Sequence, residues 1–208
     1  MKTAKKPLKL LYIEAKTNLD FKLPIKEIKK LPERIFLAYS LQYKSLALSI
    51  KSQLEANKIK VEKFQQVLGC SNIKTSLPVL LVSSGKFHAQ NLYLQSPNVY
   101  YLENRKILKT PTIQIRRLAT QRKTALMKFL RADNIGILVS TKPGQNNLDQ
   151  AIALKNKLEK QGKQAYIFIS NNIDINQFEN FSIDSWVNTA CSGLAIDNTD
   201  IINISEIH

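Results

Sequence analysis

From residue 34 to the C-terminus, short apolar runs alternate with stretches whose apolar positions recur every three or four residues, as in strands alternating with helices. The runs RIFLAYS (34–40), KVEKF (60–64), LPVLLVS (77–83) and NVYYLE (98–103) predict strands; Pro78 stands at the start of its run, where a strand tolerates it. Leu46, Ala47, Ile50 and Leu54 put one apolar face on a helix over 43–57, and a shorter helix is predicted over 88–94. This order and spacing imply parallel pairing through right-handed crossovers. A second series follows. It runs through IGILVS (135–140), a helix over 148–161 with Leu148, Ile152 and Leu158 inward and Gly162 as its stop, and QAYIFIS (164–170). A short helix near 174–180, SWVNTAC (185–191) and DIINISEI (200–207) complete it. Ahead of both, KLLYIE (9–14) predicts a short buried strand and Pro24 opens a short helix to Lys30. The longest helix, 112–131, joins the two series and carries Ile115, Leu118, Leu126, Phe129 and Leu130 as its apolar stripe. The fold class is therefore α/β, with two Rossmann-like parallel-sheet domains in tandem over 1–111 and 112–208, and their likeness suggests an internal duplication.

The 208 residues, 44% of them hydrophobic, suffice for the cores of two small domains. Lys2, Lys5, Lys6 and Lys9 precede an apolar run that stops at Glu14, too short for the core of a signal peptide, and no run is long enough to cross a bilayer. The expected location is the cytoplasm, where two cysteines are thiols rather than a disulfide. The net charge of +15 is unevenly spread: residues 1–163 hold all 31 Lys and Arg with 10 of the acids, and residues 164–208 hold the other 6 acids and no base. Such a basic part steers a protein toward RNA, a ribosome or an acidic protein surface. Its densest segment, 105–131, has nine bases and no acid.

The chemistry-bearing residues are few. Cys70, ending FQQVLGC, and Cys191, ending SWVNTAC, each close an apolar run beside a glycine, Gly69 or Gly193. At the carboxyl ends of parallel strands, where ligands collect, a thiol is a candidate for chemistry; isolated cysteines are otherwise small buried hydrophobes. The loop STKPGQ (140–145) leads from a strand into a helix, so backbone amides and Lys142 are placed to hold an anion, although it has neither P-loop nor GxGxxG spacing. His88 follows a strand and is a candidate acid, base or orienting donor.

Four blocks, VLGC (67–70), SSGKFHAQNLYL (83–94), VSTKPGQNNLDQA (139–151) and WVNTACSGLAID (186–197), resemble in order and spacing the archaeal diphthamide synthase family, from about Leu10 onward. The resemblance implies three Rossmann-like domains around a 4Fe-4S cluster, one cysteine ligand from each. It implies cleavage of S-adenosylmethionine as substrate and transfer of a 3-amino-3-carboxypropyl group to a histidine of translation elongation factor 2. By resemblance Cys70 is the metal ligand of the second domain and Cys191 that of the third, while Lys142, Gly144 and Gln145 line the substrate pocket with His88 behind them. Three thiolates leave one iron open to the methionine end of the substrate. The chain begins where the family's second domain begins, with KLLYIE as the closing strand of the first. Ser192-Gly193 stands where the family has Pro-Arg, and His88-Ala89 where it has His-Pro. The expectation is a subunit or shortened form, with the third cluster ligand from a partner subunit or homodimer, nucleic-acid contact only indirect, and no membrane. The alternative is a non-catalytic scaffold gripping elongation factor or rRNA through the basic segment, Arg116, Arg117 and Arg122 included.

Overall fold

Successive side chains of a strand point to opposite faces, and the two faces of RIFLAY fill two different cores. Ile35, Leu37 and Tyr39 of β1 (Arg34–Tyr39) join Leu46, Ala47, Ile50 and Leu54 of α2 (Lys44–Ala56). Phe36 and Ala38 join Leu92 and Tyr93 of α3 (Phe87–Tyr93) on the other side. Complete burial of a side chain such as Leu54 or Phe36 contributes about 1.5–3 kcal/mol. The computed structural model describes residues 11, 13–71, 73, 75–84, 87–96, 98–196 and 198–207, the side chains of Phe87, His88 and Asn91 excepted.

The first sheet has the order β2-β1-β3-β4-β5, with β2 (Lys60–Gln66), β3 (Val79–Val82), β4 (Val99–Glu103) and β5 (Lys106–Lys109). Every pairing is parallel except β4 with β5. Sequence reading misses β5 because KILK is four residues long and lacks the glycine that usually marks a tight hairpin; Asn104 and Arg105 adopt positive φ there instead, 48° and 61°. The second sheet, β7-β6-β8-β9, is wholly parallel, from β6 (Asn134–Ser140), β7 (Gln164–Ser170), β8 (Ser185–Asn188) and β9 (Ile201–Asn203). Strands β1 to β4 and β6 to β9 thus repeat one spatial order.

Between the sheets runs α4 (Thr112–Arg131), over the predicted range. Its Leu118 packs with the first unit and its Ala125 and Phe129 with the second. Ile196, from the second unit, also packs into the first unit's core.

Several expectations are corrected. The KLLYIE strand is absent where it is described: Leu11 and Ile13 are 85% and 83% exposed, and neither sheet pairs with them; its other early residues lie outside the described set. Leu130 of the α4 stripe is exposed. In α5 (Leu148–Lys160) the inner face is Ala151, Leu154 and Leu158, leaving Leu148 and Ile152 outward, because small Ala151 lets the helix sit close to the sheet. The helix from Pro24 is a single turn, α1 (Ile25–Ile28). That near 174–180 is a 3-10 turn (Ile175–Phe178), and the last strand gives way to another (Ile204–Glu206).

Gly136 of β6 lies opposite Trp186 of β8, and a Cβ there would stand 2.3 Å from ring atoms Cε3 and Cζ3. The indole fills that space and packs against Phe168 at 4.9 Å and Phe178 at 5.6 Å between ring centroids. We expect Gly136→Ala to destabilise the fold by about 2–3 kcal/mol through overpacking. Urea melts followed by Trp186, the sole tryptophan, check this, and an unchanged midpoint would mean that the ring has room to move.

Candidate functional site

The Cys191 loop is built from the buried end of β8. Thr189 Oγ1 donates to the Leu138 carbonyl at 2.8 Å and so extends the β6–β8 pairing past the last strand residue. Asn188, 2% exposed, donates from Nδ2 to the Cys191 carbonyl and to Asn203 Oδ1, both at 2.8 Å, and accepts from the Ala190 amide at 2.9 Å. A buried polar side chain is stable only when so satisfied. Cys191 is left at the start of a 3-10 turn (Ser192–Ala195), a half-buried free thiol.

Arg122 of α4 clamps the far side of this loop. Its side chain is 10% exposed; Nε pairs with Glu206 Oε1 at 3.0 Å, and its remaining nitrogens donate to the carbonyls of Ala195, Asn198 and Ile201. Glu206 in turn accepts from the Asn203 amide at 2.8 Å. Every guanidinium nitrogen thus has an acceptor, the condition for burying the charge.

Cys70 reaches its place differently. Strand β2 is the edge of its sheet and half-exposed, so the expected buried run is reduced to Val67, whose amide donates to the Tyr39 carbonyl at 2.8 Å; Leu68 is exposed. The chain then turns, with Ser71 Oγ accepting from the Leu68 amide at 2.8 Å, and Cys70 is an exposed free thiol. The repeated strand order does not extend to the cysteines: Cys70 follows β2, whereas Cys191 follows β8, the counterpart of β3.

Two cavities flank the Cys191–Ser192 peptide. One, ≈ 320 Å³, is lined by Cys191 and Gly193 with Ser140, Lys142 and Gln145. The other, ≈ 290 Å³, is lined by Cys70, Ser192, Gln90, Leu118, Arg122 and Glu206, among others. Neither thiol is sealed in an apolar interior. Ser192 Oγ is buried and unpartnered among the described residues. Lys142 and Gln145 lie where the turn after β6 puts them, the Gln145 amide donating to the Lys142 carbonyl at 3.0 Å. Gly144 shapes that turn, at φ +75°, and is not among the lining residues. His88 belongs to α3 of the first unit, and its side chain lies outside the described residues. Among the described residues no three potential metal ligands cluster.

The basic segment divides. Arg122 is turned inward and Lys128 is paired with Asp200, while Arg105 lies over the Phe21 ring at 5.4 Å. Lys109 lies over the Tyr100 ring at 5.8 Å, and Lys106, Arg116, Arg117, Lys123 and Arg131 remain as exposed cations, whereas a surface contact made through Arg122 is ruled out by its burial. No helix among the described residues is long and apolar enough to cross a membrane.

Two parallel α/β units joined by one helix, with free thiols lining the clefts at their carboxyl edges, define the class: a tandem α/β protein with paired cysteine-bearing cavities. The chain belongs to the family described as "Putative diphthamide synthesis protein", whose model matches residues 1–201. It is 25% identical over 186 residues to the 2-(3-amino-3-carboxypropyl)histidine synthase of Pyrococcus horikoshii, covering 84% of this chain and 54% of that one. It is 24% identical over 210 residues to subunit 1 of the corresponding synthase of Yarrowia lipolytica, covering 91% and 48%. Its fold matches a crystal structure of Dph2 from Pyrococcus horikoshii with 4Fe-4S cluster, at a TM-score of 0.75 and 24% identity, over 88% of this chain and 58% of that one. The chain therefore spans about half the length of the relatives it matches.

Proposed function

We propose that this chain is part of the enzyme that cleaves S-adenosylmethionine and transfers its 3-amino-3-carboxypropyl group to a histidine of translation elongation factor 2, in the cytoplasm. The observation that carries the reading is the placement of the only two cysteines, Cys70 and Cys191, as free thiols in cavities on either side of one peptide. They are the ligands by which the chain would hold a 4Fe-4S cluster, with the third thiolate from a partner subunit or a second copy. The donor set suits that group: two accessible thiols, and next to Cys191 the buried, unpartnered hydroxyl of Ser192, which would supply a hydrogen-bond donor to it. When bound, such a cluster supplies the electron that breaks the carbon–sulfur bond of the sulfonium.

The chain's own residues do the rest. Lys142 offers an ammonium to the carboxylate of the aminocarboxypropyl group, and Gln145 offers an amide from the same turn. Asn188 and Arg122 fix the backbone that carries Cys191.

Anaerobic reconstitution of the full chain with iron and sulfide, alone and mixed with a candidate partner carrying one further cysteine-bearing α/β unit, tests the reading. The expected result is a stable cluster absorption with S-adenosylmethionine cleavage only in the mixture, or in a dimer of this chain. Absence of a cluster under every condition would overturn it.

A further inference from the structure

Open parallel sheets bind ligands at the carboxyl edge, where neighbouring strands send their connections in opposite directions. In the second sheet that point lies between β6 and β8, and its cavity is the one holding Lys142, Gln145 and Cys191. In the first sheet it lies between β1 and β3, and a larger cavity of ≈ 400 Å³ opens there, which the proposed function does not use. Its volume is in the range of small-molecule sites. Tyr43 comes from the connection after β1, Ser83 and Ser84 from that after β3, and Glu103 and Arg105 from the end of β4 and its hairpin.

The lining is specific in its chemistry. Phe21, Tyr43, Tyr93 and Tyr101 supply aromatic surface. The hydroxyls of Ser83 and Ser84 and the carboxylate of Glu103 have no hydrogen-bond or ion-pair partner among the described residues, so they are free for a ligand. Asp20 accepts from Ser49 Oγ at 3.0 Å, and Arg105 lies over the Phe21 ring. Two carboxylates against one guanidinium make this lining negative in a chain of net charge +15, which disfavours phosphates and carboxylates. Asn104 and Arg105 are the two central residues of the β4–β5 hairpin, whose two-residue turn holds both at positive φ and fixes Arg105 at the cavity rim.

We propose that this cavity binds an uncharged nucleoside. The planar base lies against the tyrosine rings, and the sugar hydroxyls donate to Glu103 and exchange hydrogen bonds with Ser83 and Ser84. The site is independent of the cysteines, so its failure and that of the cluster reading are separable.

Equilibrium dialysis of the full chain with radiolabelled adenosine, guanosine and adenosine 5′-monophosphate tests the proposal. We expect saturable one-to-one binding of at least one nucleoside, with the monophosphate about tenfold weaker. Glu103→Gln, on the surface, should lose about tenfold in nucleoside affinity and narrow the discrimination against the monophosphate. Ser84→Trp should abolish binding by filling the cavity, and the Cys70→Ala/Cys191→Ala double variant should bind as the parent does. The proposal falls if neither nucleoside binds saturably, if Glu103→Gln and Ser84→Trp bind unchanged, or if binding disappears with the cysteines.

Discussion

Cys191→Ala abolishes cluster binding in the reconstituted assembly while the protein melts within a few degrees of the parent. The thiol sits on the residue just before a 3-10 turn, half-buried, and makes no side-chain hydrogen bond that caps it. The turn is held instead through backbone and neighbours: Asn188 takes the Cys191 carbonyl, and the Leu194 amide donates to that same carbonyl at 3.1 Å. Removing one sulfur from such a place costs less than about 1.5 kcal/mol, which for a chain of this size is a shift of at most about 3–6 °C. Cys70→Ala, at an exposed turn, changes stability within about 0.5 kcal/mol and also removes the cluster. Thermal melts beside visible absorption of the reconstituted protein separate the two effects. Cluster absorption that survives in the double variant would remove both cysteines from the ligand set, and a collapsed Cys191→Ala protein would make that residue part of the core.

The sheets were legible because buried parallel strands write themselves as uninterrupted apolar runs, and IGILVS and QAYIFIS emerge as β6 and β7 with ends shifted by at most one residue. KILK was not, since a four-residue edge strand between charged residues has no periodicity to read. Partner-dependent features were harder still. An apolar segment such as KLLYIE predicts burial only if a sheet is there to receive it, and among the described residues none is. Cys70, Cys191, Lys142 and Gln145 lie at cavity walls because strand ends fix where loops emerge, whereas Gly144 only shapes its turn. Asn188 was overlooked although it is the one amide in SWVNTAC, a polar group at a strand end that must find partners when buried.

Arg122 gives the sharper lesson and the larger expected effect. Ile115, Leu118, Ala125 and Phe129 are spaced so that residue 122 completes their stripe on α4, the face turned toward the two cores. A cation at a core position of an amphipathic helix is a request for buried acceptors, whereas counting bases along the segment treats it as surface charge. In Arg122→Ala, Glu206 and the carbonyls of Ala195, Asn198 and Ile201 lose their donor together. Breaking a buried pair in this way costs about 3–5 kcal/mol, a large share of the stability of a small domain. Arg122→Lys restores only part of it, because an ammonium holds its three donors on one nitrogen and cannot reach the four acceptors that the guanidinium serves from three. The loss falls first on the segment from Cys191 to Ile201, which α4 holds through this side chain. In the Lys variant, which still folds, iodoacetamide should therefore label Cys191 several-fold faster while the rate at Cys70, on the other unit's loop, stays the same. Equal rates at Cys191 in parent and variant would show that Asn188 and Asn203 hold the loop without the arginine, and that Arg122 serves only the packing of the helix.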